Sequence, residues 1–150
     1  MIRLDLENIL RIQKISAQAI VPKRATPGSS GLDLFSSEFI SISPNETLAV
    51  CTGWKMAVPL GLEIQIRPRS GLALKKQITI PNSPGTIDSD FRGEVKVILR
   101  NEGKESFIIE IGDKIAQMVV APILICEPEV VESLDETLRG EGGFGSTGSK

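Results

Sequence analysis

A short segment near the middle of the chain, Arg67-Pro-Arg-Ser-Gly-Leu-Ala73, combines residue types that bind phosphate groups. Arg69 can present two parallel N–H donors to a phosphate, and Ser70 adds a hydroxyl. The segment follows a predicted strand and opens a predicted helix, whose first backbone N–H groups lack partners within the helix and suit an anion. The alternative is an ordinary capped turn with a solvated arginine. These residues alone leave both interpretations open.

A second loop, from Pro81 to Glu94, is a candidate for acid–base chemistry. Its two prolines and a glycine predict a rigid hairpin that can present backbone donors and acceptors to the edge of a base. Asp88 follows this hairpin and can face a cleft as a general base, although a surface position is the alternative. Asp90 and Arg92 can form a surface ion pair, which would contribute little to stability.

The chain contains no histidine, and this absence narrows the possible chemistry. Ser-His-Asp and Cys-His nucleophile systems are excluded, and two cysteines cannot complete a zinc site. A catalytic base must therefore be a carboxylate or a lysine, and any metal must be a hard, oxygen-bound cation such as Mg²⁺. Cys51 and Cys126 lie far apart among apolar neighbours, which predicts buried, reduced thiols.

The C-terminal segment 139–148 has five glycines in ten residues and should hold neither helix nor strand. It nevertheless carries an arginine, a phenylalanine and a Ser-Thr pair, which suit a phosphate, a ring and polar atoms respectively. It is either a segment that becomes ordered over a phosphorylated, ring-bearing ligand or a disordered, low-complexity terminus.

Two polar residues interrupt predicted strands. Asp33 stands between Leu32 and Leu34, and the alternation of a strand predicts that its side chain points to the opposite face and is exposed. Gln117 interrupts an apolar run, so that its side chain is either at the surface or satisfied by a partner in a pocket.

The elements that must position these residues are predicted to be strands. Short apolar stretches recur, separated by Pro, Gly, Asn and Ser about every 8–12 residues, which indicates an all-β, jelly-roll-like sandwich or barrel. The candidate strands are Ile15 to Val21, Phe39 to Ile42, Leu48 to Cys51, Leu62 to Ile66, Val95 to Leu99, Phe107 to Ile111, Ile115 to Val120 and Val130 to Val131. One short helix is predicted at Ser70 to Lys76, with Ser70 as its N-cap.

Length and charge limit the function classes. With 150 residues the chain is predicted to form one domain, 1–150, with a substantial core. The net charge of −2 without a basic cluster argues against a nucleic-acid or anionic-membrane partner. No apolar run is long enough to span a membrane, and the N-terminus is too charged for a signal peptide, so we expect a soluble, cytoplasmic protein.

In content and order, these segments resemble the five motifs of the trimeric deoxyuridine triphosphatase (dUTPase) family. The motifs correspond to Ala25 to Ser36, Arg67 to Lys76, Gly85 to Asn101, Gly112 to Val120 and Arg139 to Gly148. The resemblance covers more than a third of the chain and implies a jelly-roll subunit in a homotrimer with active sites at subunit interfaces. It also implies Mg²⁺-dependent hydrolysis of dUTP to dUMP and pyrophosphate, which limits uracil incorporation into DNA and supplies dUMP for thymidylate synthesis.

The resemblance further implies a role for each matching residue. Asp88 falls on the catalytic aspartate, which orients and deprotonates the water that attacks the α-phosphorus, and Asp33 matches an acid near metal-bound waters. The implied substrate contacts are Arg69, Ser70, Gly71 and Gln117 for the phosphates; Asn82, Thr86 and Ile87 for uracil; Lys96 at a further position; Arg139, Ser146 and Thr147 for the γ-phosphate; and Phe144 for stacking on the base. The tail, 139–150, would then act as a lid.

One residue departs from the family pattern. Phe91 stands where the family usually has a tyrosine, whose ring packs against deoxyribose and excludes a 2′-hydroxyl. The ring is kept, so we expect deoxyribose selectivity without any contribution from a phenolic hydroxyl. The two alternative functions are a dCTP deaminase-like enzyme and a non-catalytic nucleotide-binding jelly-roll protein. The complete fifth motif and the Gly85-Thr-Ile-Asp88 segment favour dUTPase over the first, and no catalytic residue is missing, as the second would require.

Overall fold

Alternating apolar residues make antiparallel strands the main regular structure of the described chain. A computed structural model describes residues 9–144, in which ten strands and one helix occur. They are β1 (Arg11–Lys14), β2 (Leu32–Phe35), β3 (Ile40–Ile42), β4 (Thr47–Ala57), β5 (Leu62–Arg67), α1 (Ser70–Lys76), β6 (Ile78–Thr79), β7 (Gly85–Ile87), β8 (Glu94–Asn101), β9 (Phe107–Ile109) and β10 (Lys114–Pro122). The predicted all-β class with one short helix is confirmed.

Two four-stranded sheets share one apolar core. Their strand orders are β1-β4-β8-β6 and β2-β10-β5-β7, and β3 and β9 form a separate two-stranded sheet. Ile64 and Ile66 of β5 alternate inward, as do Val95, Val97 and Leu99 of β8, and all five belong to the same buried cluster. The arrangement is a jelly-roll-like sandwich in which, among residues 9–144, neither four-stranded sheet closes into a barrel.

Two predicted strands do not form. Ile15 to Val21 is interrupted by a turn, in which the Ala19 N–H donates to the Ser16 carbonyl at 3.1 Å, and the strand of this region lies earlier, at β1. Val130 and Val131 are exposed and pair with no described strand. Both segments are rich in apolar residues, but neither has a partner strand in the described chain against which these residues could pack.

The helix has the predicted bounds but a different cap. Arg69 occupies the N-cap position and no side chain caps the helix, whereas Ser70 is its first residue, so the prediction of Ser70 as cap is wrong. The helix ends at Gln77, which takes the left-handed conformation with φ 56°. At seven residues α1 is short, and residues 9–144 include no helix of the length and apolarity that a bilayer crossing requires.

The two cysteines differ from the prediction in their burial. Cys51 on β4 is only partly buried, and Cys126 is exposed because it follows β10 in a segment without strand or helix. Both are free thiols. Burial, assisted by the neighbouring Glu38 and Glu94 carboxylates, raises the pKa of Cys51 from 9.0 to about 11.

Candidate functional site

A cluster of charges gathers where β2, β10 and the loop before α1 meet. The Lys114 Nζ lies 2.7 Å from Asp33 Oδ2, and Arg69 Nε lies 3.6 Å from Asp33 Oδ1. The Asp33 side chain is therefore only 13% exposed, and the expectation that it faces solvent is wrong because two cations cover it. With two cations around one carboxylate, this cluster, which we call the cationic corner, has a formal charge of +1 and suits an anion.

A bulge in β10 brings Lys114 to this corner. Gln117 is the register partner of Asp33, while Lys114 is the partner of Phe35, and the register shifts between Lys114 and Ala116. In a regular strand, residues three apart point to opposite faces. The extra residue of the bulge changes that phase, so that Lys114 and Gln117 share the face on which Asp33 lies.

Hydrogen bonds hold the loop before α1 against β10. The Gln117 side-chain amide donates to the Pro68 carbonyl at 3.1 Å, and Arg69 Nη1 donates to the Lys114 carbonyl at 3.1 Å. Of the two alternatives for Gln117, a surface position or a hydrogen-bonded partner, the structure shows the partner. Ser70 and Gly71 follow directly and are exposed at the first turn of α1.

An open groove of about 500 Å³ begins at the cationic corner. It runs between α1 and the start of β10, where Arg69, Lys76 and Lys114 line it together with one acid, Asp113. The excess of cations makes this groove suitable for a phosphate chain, since clustered positive charge attracts and holds such a ligand.

A second pocket, of about 180 Å³, lies beside the hairpin that β7 begins. Asn82, Thr86 and Ile87, which the resemblance assigned to uracil, line it together with Lys96, which the resemblance placed at a further substrate contact. The hairpin is tight: a Cβ on Gly85 would come within 3.2 Å of the Asn82 amide nitrogen and 3.3 Å of Ile66 Cβ. We call this cavity the hairpin pocket.

The backbone of β7 is available to a ligand along one edge. β7 is the last strand of its sheet and pairs with β5 through Ile64–Ile87, Gln65–Thr86 and Ile66–Gly85. Within residues 9–144 no strand pairs with its other edge. Such an edge presents N–H and C=O groups in a fixed pattern, which is what recognition of a base edge requires.

Asp88 and Phe91 belong to one braced turn that follows β7. The Phe91 N–H donates to the Asp88 carbonyl at 3.3 Å. The Arg92 guanidinium folds back and donates to the Ser89 and Phe91 carbonyls, each at 2.8 Å. Arg92 makes no ion pair with Asp90 in the described structure, and the Asp88 side chain is exposed and so accessible to a ligand.

The cationic corner and Asp88 lie toward opposite ends of β5. Ile87 pairs with Ile64, while Arg67, three residues further along β5, pairs with Gln117. Three residues of strand span about 10 Å. Beyond these points the chain leaves β7 at Asp88 and leaves β5 toward Arg69.

The tail residues join neither group. Arg139 Nε donates to the Gly142 carbonyl at 2.7 Å, within a turn of its own, and Phe144 is fully exposed. Ser146 and Thr147 lie outside the described residues.

The Mg²⁺ prediction concerns the carboxylates near the cationic corner. No cluster of three or more potential ligands among His, Cys, Asp and Glu occurs in residues 9–144. Asp33 is the carboxylate at the cationic corner, and it is engaged by Lys114 and Arg69.

Sequence reasoning missed three residues at these sites: Lys114, Arg92 and Gly93. Lys114 was missed because a β-bulge, which has no clear signal in the sequence, determines the face of the sheet on which its side chain lies. Arg92 was interpreted through its acidic neighbour, although its donors bond to carbonyls instead. Gly93 lies beneath the ring of Phe91, which stands two residues earlier in the chain, and no motif pointed to this contact.

Comparison with known proteins places the chain in a characterised group. The family model described as dUTPase matches residues 17–148. A deoxyuridine 5′-triphosphate nucleotidohydrolase from Wolinella succinogenes is 54% identical over 139 residues, which are 93% of each chain. The protein of the same name from Clostridium acetobutylicum is 54% identical over 141 residues, covering 94% of this chain and 97% of that one.

Solved structures agree with the sequence relatives. A mutant of the Staphylococcus bacteriophage 80alpha dUTPase with dUpNHpp superposes with a TM-score of 0.85 at 27% identity, covering 94% of this chain and 99% of that one. A mutant dUTPase from phage phi11 of S. aureus, described as revealing the coordination of a structural Mg(II) ion, gives a TM-score of 0.79 at 26% identity over 84% and 98% of the two chains.

Proposed function

This chain belongs to the dUTPase family, and we propose that it hydrolyses dUTP to dUMP and pyrophosphate with Asp88 as the general base. The observation that carries the proposal is the match of the family model over residues 17–148, which span all five motifs. A cationic groove for phosphates and a hairpin pocket with a free backbone edge are the two features that such a substrate needs. The comparisons do not favour a deaminase.

The reaction follows from the chemistry of the residues. The Asp88 carboxylate accepts a proton from a water molecule whose oxygen forms a bond to the α-phosphorus. The bond from the α-phosphorus to the oxygen bridging to the β-phosphorus breaks, and pyrophosphate leaves with that electron pair. Arg69, with the Ser70 hydroxyl and the Gly71 backbone, stabilises charge on the phosphate oxygens, while Gln117 holds the loop that carries Arg69.

We assign base selection to the hairpin pocket and sugar selection to Phe91. The backbone edge of β7 pairs with uracil, and Asn82, Thr86, Ile87 and Lys96 complete the walls. Cytosine presents a donor where uracil presents an acceptor, which leaves buried groups unpaired, and the thymine methyl would collide with the tight turn. Phe91 packs against deoxyribose and leaves no room for a 2′-hydroxyl.

We further propose that a homotrimer completes each site from more than one subunit. Asp88 and Arg69 of one chain are separated along β5, which supports a site in which another copy brings its Asp88 to a substrate at Arg69. The segment that follows β10 supports association, since Leu124, Val130 and Leu134 expose apolar side chains without a partner in the described chain.

Mg²⁺ fits these residues as a substrate-bound ion. The chain offers one carboxylate, Asp33, at the cationic corner, which suits contact through a water, and Mg²⁺ commonly takes its remaining ligands from substrate phosphates and water. When bound, it neutralises part of the phosphate charge. Residues 139–150 are proposed as the lid of a single domain 1–150, with Arg139, Ser146 and Thr147 on the γ-phosphate and Phe144 over the base.

The decisive experiment measures pyrophosphate release with Mg²⁺ from dUTP, dCTP, dTTP and UTP. We expect turnover of dUTP alone at low substrate concentration. Asp88→Asn should lower kcat by at least about 100-fold with little change in affinity for a non-hydrolysable dUTP analogue, because it removes the base and keeps the shape. Ammonia release from dCTP, or near-normal turnover by Asp88→Asn, would overturn the proposal.

A mixing experiment tests the shared site separately. Asp88→Asn and Arg69→Ala homotrimers should each be nearly inactive. When subunits are mixed at random in equal amounts, about a quarter of the sites obtain an intact Asp88 from one subunit and an intact Arg69 from the other. Recovery of activity toward that level supports sharing, whereas a mixture as inactive as its parents would place both residues in one subunit.

A further inference from the structure

The ring of Phe91 lies directly over Gly93. A Cβ built on Gly93 would come within 2.6 Å of Phe91 Cζ and 2.9 Å of Cε2, distances that real Cβ atoms do not adopt. Gly93 has a φ outside the left-handed region, so its backbone would accept an alanine without strain. Its importance therefore lies in the space that it leaves for the ring.

The turn around Phe91 is more firmly held than the ring. Its backbone is tied by the Phe91-to-Asp88 hydrogen bond and by the two bonds from Arg92. Phe91 as a residue, by contrast, is 40% exposed, and its side chain can rotate about two torsions. We therefore expect the clash of a methyl group at Gly93 to be relieved by movement of the ring. The hydrogen bonds of the turn keep Asp88 in its position.

We propose that Gly93 is a positioning residue for sugar selection: it seats the Phe91 ring where the ring excludes a 2′-hydroxyl. The inference rests on the proposed hydrolysis of dUTP and adds a residue to it. Gly93 itself touches no substrate, since it lies under the ring, and it acts only through Phe91. A packing contact that rejects one extra group lowers kcat/KM for the larger substrate by about 10- to 200-fold. A displaced ring would lose much of this selectivity.

The test compares kcat/KM for dUTP with kcat/KM for UTP in wild type and in Gly93→Ala. We expect the dUTP-to-UTP ratio to fall by about 10-fold or more, mainly because UTP becomes a better substrate. Phe91→Ala, which removes the ring without adding bulk at Gly93, should reproduce this loss of selectivity. Circular dichroism and the thermal unfolding midpoint establish that each variant is folded.

The matched control is the same Gly93→Ala change in a Phe91→Ala background. If Gly93 acts through the ring, it has no further effect on the ratio there, and the double-mutant cycle shows strong coupling. A ratio unchanged in Gly93→Ala, or an equal effect with and without the ring, would overturn the inference. Either result would leave the proposed function standing, whereas a wild type that does not hydrolyse dUTP would remove the function itself.

Discussion

Replacing Lys114 by methionine tests the cationic corner most directly. Methionine keeps most of the length and the apolar stem of lysine but removes the ammonium group that lies 2.7 Å from Asp33. The carboxylate is then left with Arg69, whose Nε lies 3.6 Å away. The formal charge of the corner falls from +1 to 0, so that both stability and phosphate binding should respond.

The exposure of the two groups sets the size of the stability effect. The Asp33 side chain is 13% exposed and the Lys114 side chain 37%, so the pair is neither a surface pair nor a fully buried one. Exposed pairs contribute up to about 1 kcal/mol, and breaking a buried pair costs about 3–5 kcal/mol. Because water screens the charge of the partly exposed lysine, we expect the free energy of unfolding to fall by about 1–2 kcal/mol, between the values for exposed and buried pairs.

The effect on substrate follows from the lost charge. A unit charge beside a phosphate in a solvent-exposed groove changes the binding free energy by about 1 kcal/mol, which is about five-fold in affinity. Lys114→Met should therefore raise KM for dUTP about five-fold while kcat changes less, since Lys114 contributes charge that binds phosphate, whereas Asp88 is the proposed proton acceptor. The increase should shrink at high salt, because ions screen charges in an open groove.

Trp54 provides the assay for stability. It is the only tryptophan of the chain, is buried, and donates from its indole N–H to the Ile20 carbonyl at 2.8 Å. Its fluorescence should report unfolding in a temperature ramp at matched protein concentration, where 1 kcal/mol corresponds to about 2–4 °C. Lys114→Arg, which keeps the charge, serves as the control and should recover most of both effects. An unchanged midpoint together with an unchanged KM in Lys114→Met would refute the reasoning.

Two further predictions concern the thiol of Cys51 and the tail. In a Cys126→Ser background, alkylation of Cys51 at pH 8 should be about 100-fold slower in folded than in unfolded protein, because a pKa of about 11 instead of 9.0 lowers the thiolate fraction by that factor. The rate should keep rising with pH toward 11, and equal rates in the two states at pH 8 would contradict this. Deleting residues 139–150 should lower kcat/KM for dUTP roughly 10- to 100-fold through loss of a charged phosphate contact. The unfolding midpoint should hardly change, since the described contacts of Arg139 lie within the tail; normal turnover by the deletion variant would argue against a lid.

Periodicity predicted the parts of the fold that depend on a local pattern. The strict alternation of Leu62 to Ile66 appears as β5, with Ile64 and Ile66 buried, and the helix starts and ends where predicted. The failures share a cause, which is dependence on a distant partner. Val130 and Val131 have strand-forming side chains but no described neighbour to pair with, and Asp33 is covered by cations that lie on other elements.

The candidate site divides in the same way. The motifs identified the phosphate loop and the hairpin because the relevant residues are consecutive in sequence. They did not reveal Lys114, because its orientation depends on the bulge between Lys114 and Ala116, nor the seat of Phe91 on Gly93, because that contact depends on a side-chain rotamer. A motif therefore identifies the residues that contact a substrate more readily than the residues that position them.

The rigidity of β5 bears on how one active site can be assembled. Within a single chain, Asp88 could approach Arg69 only if the hairpin moved by about 10 Å or more along β5. Such a movement would break the pairing of Ile64, Gln65 and Ile66 with β7, and a shift by an odd number of residues would also turn Ile87 to the other face. Ile64 and Ile66 are buried core residues, so this pairing belongs to the most stable part of the sheet. Closure within one chain would therefore disrupt strand pairing in the core, which supports the proposal that a neighbouring copy brings its own Asp88 to Arg69.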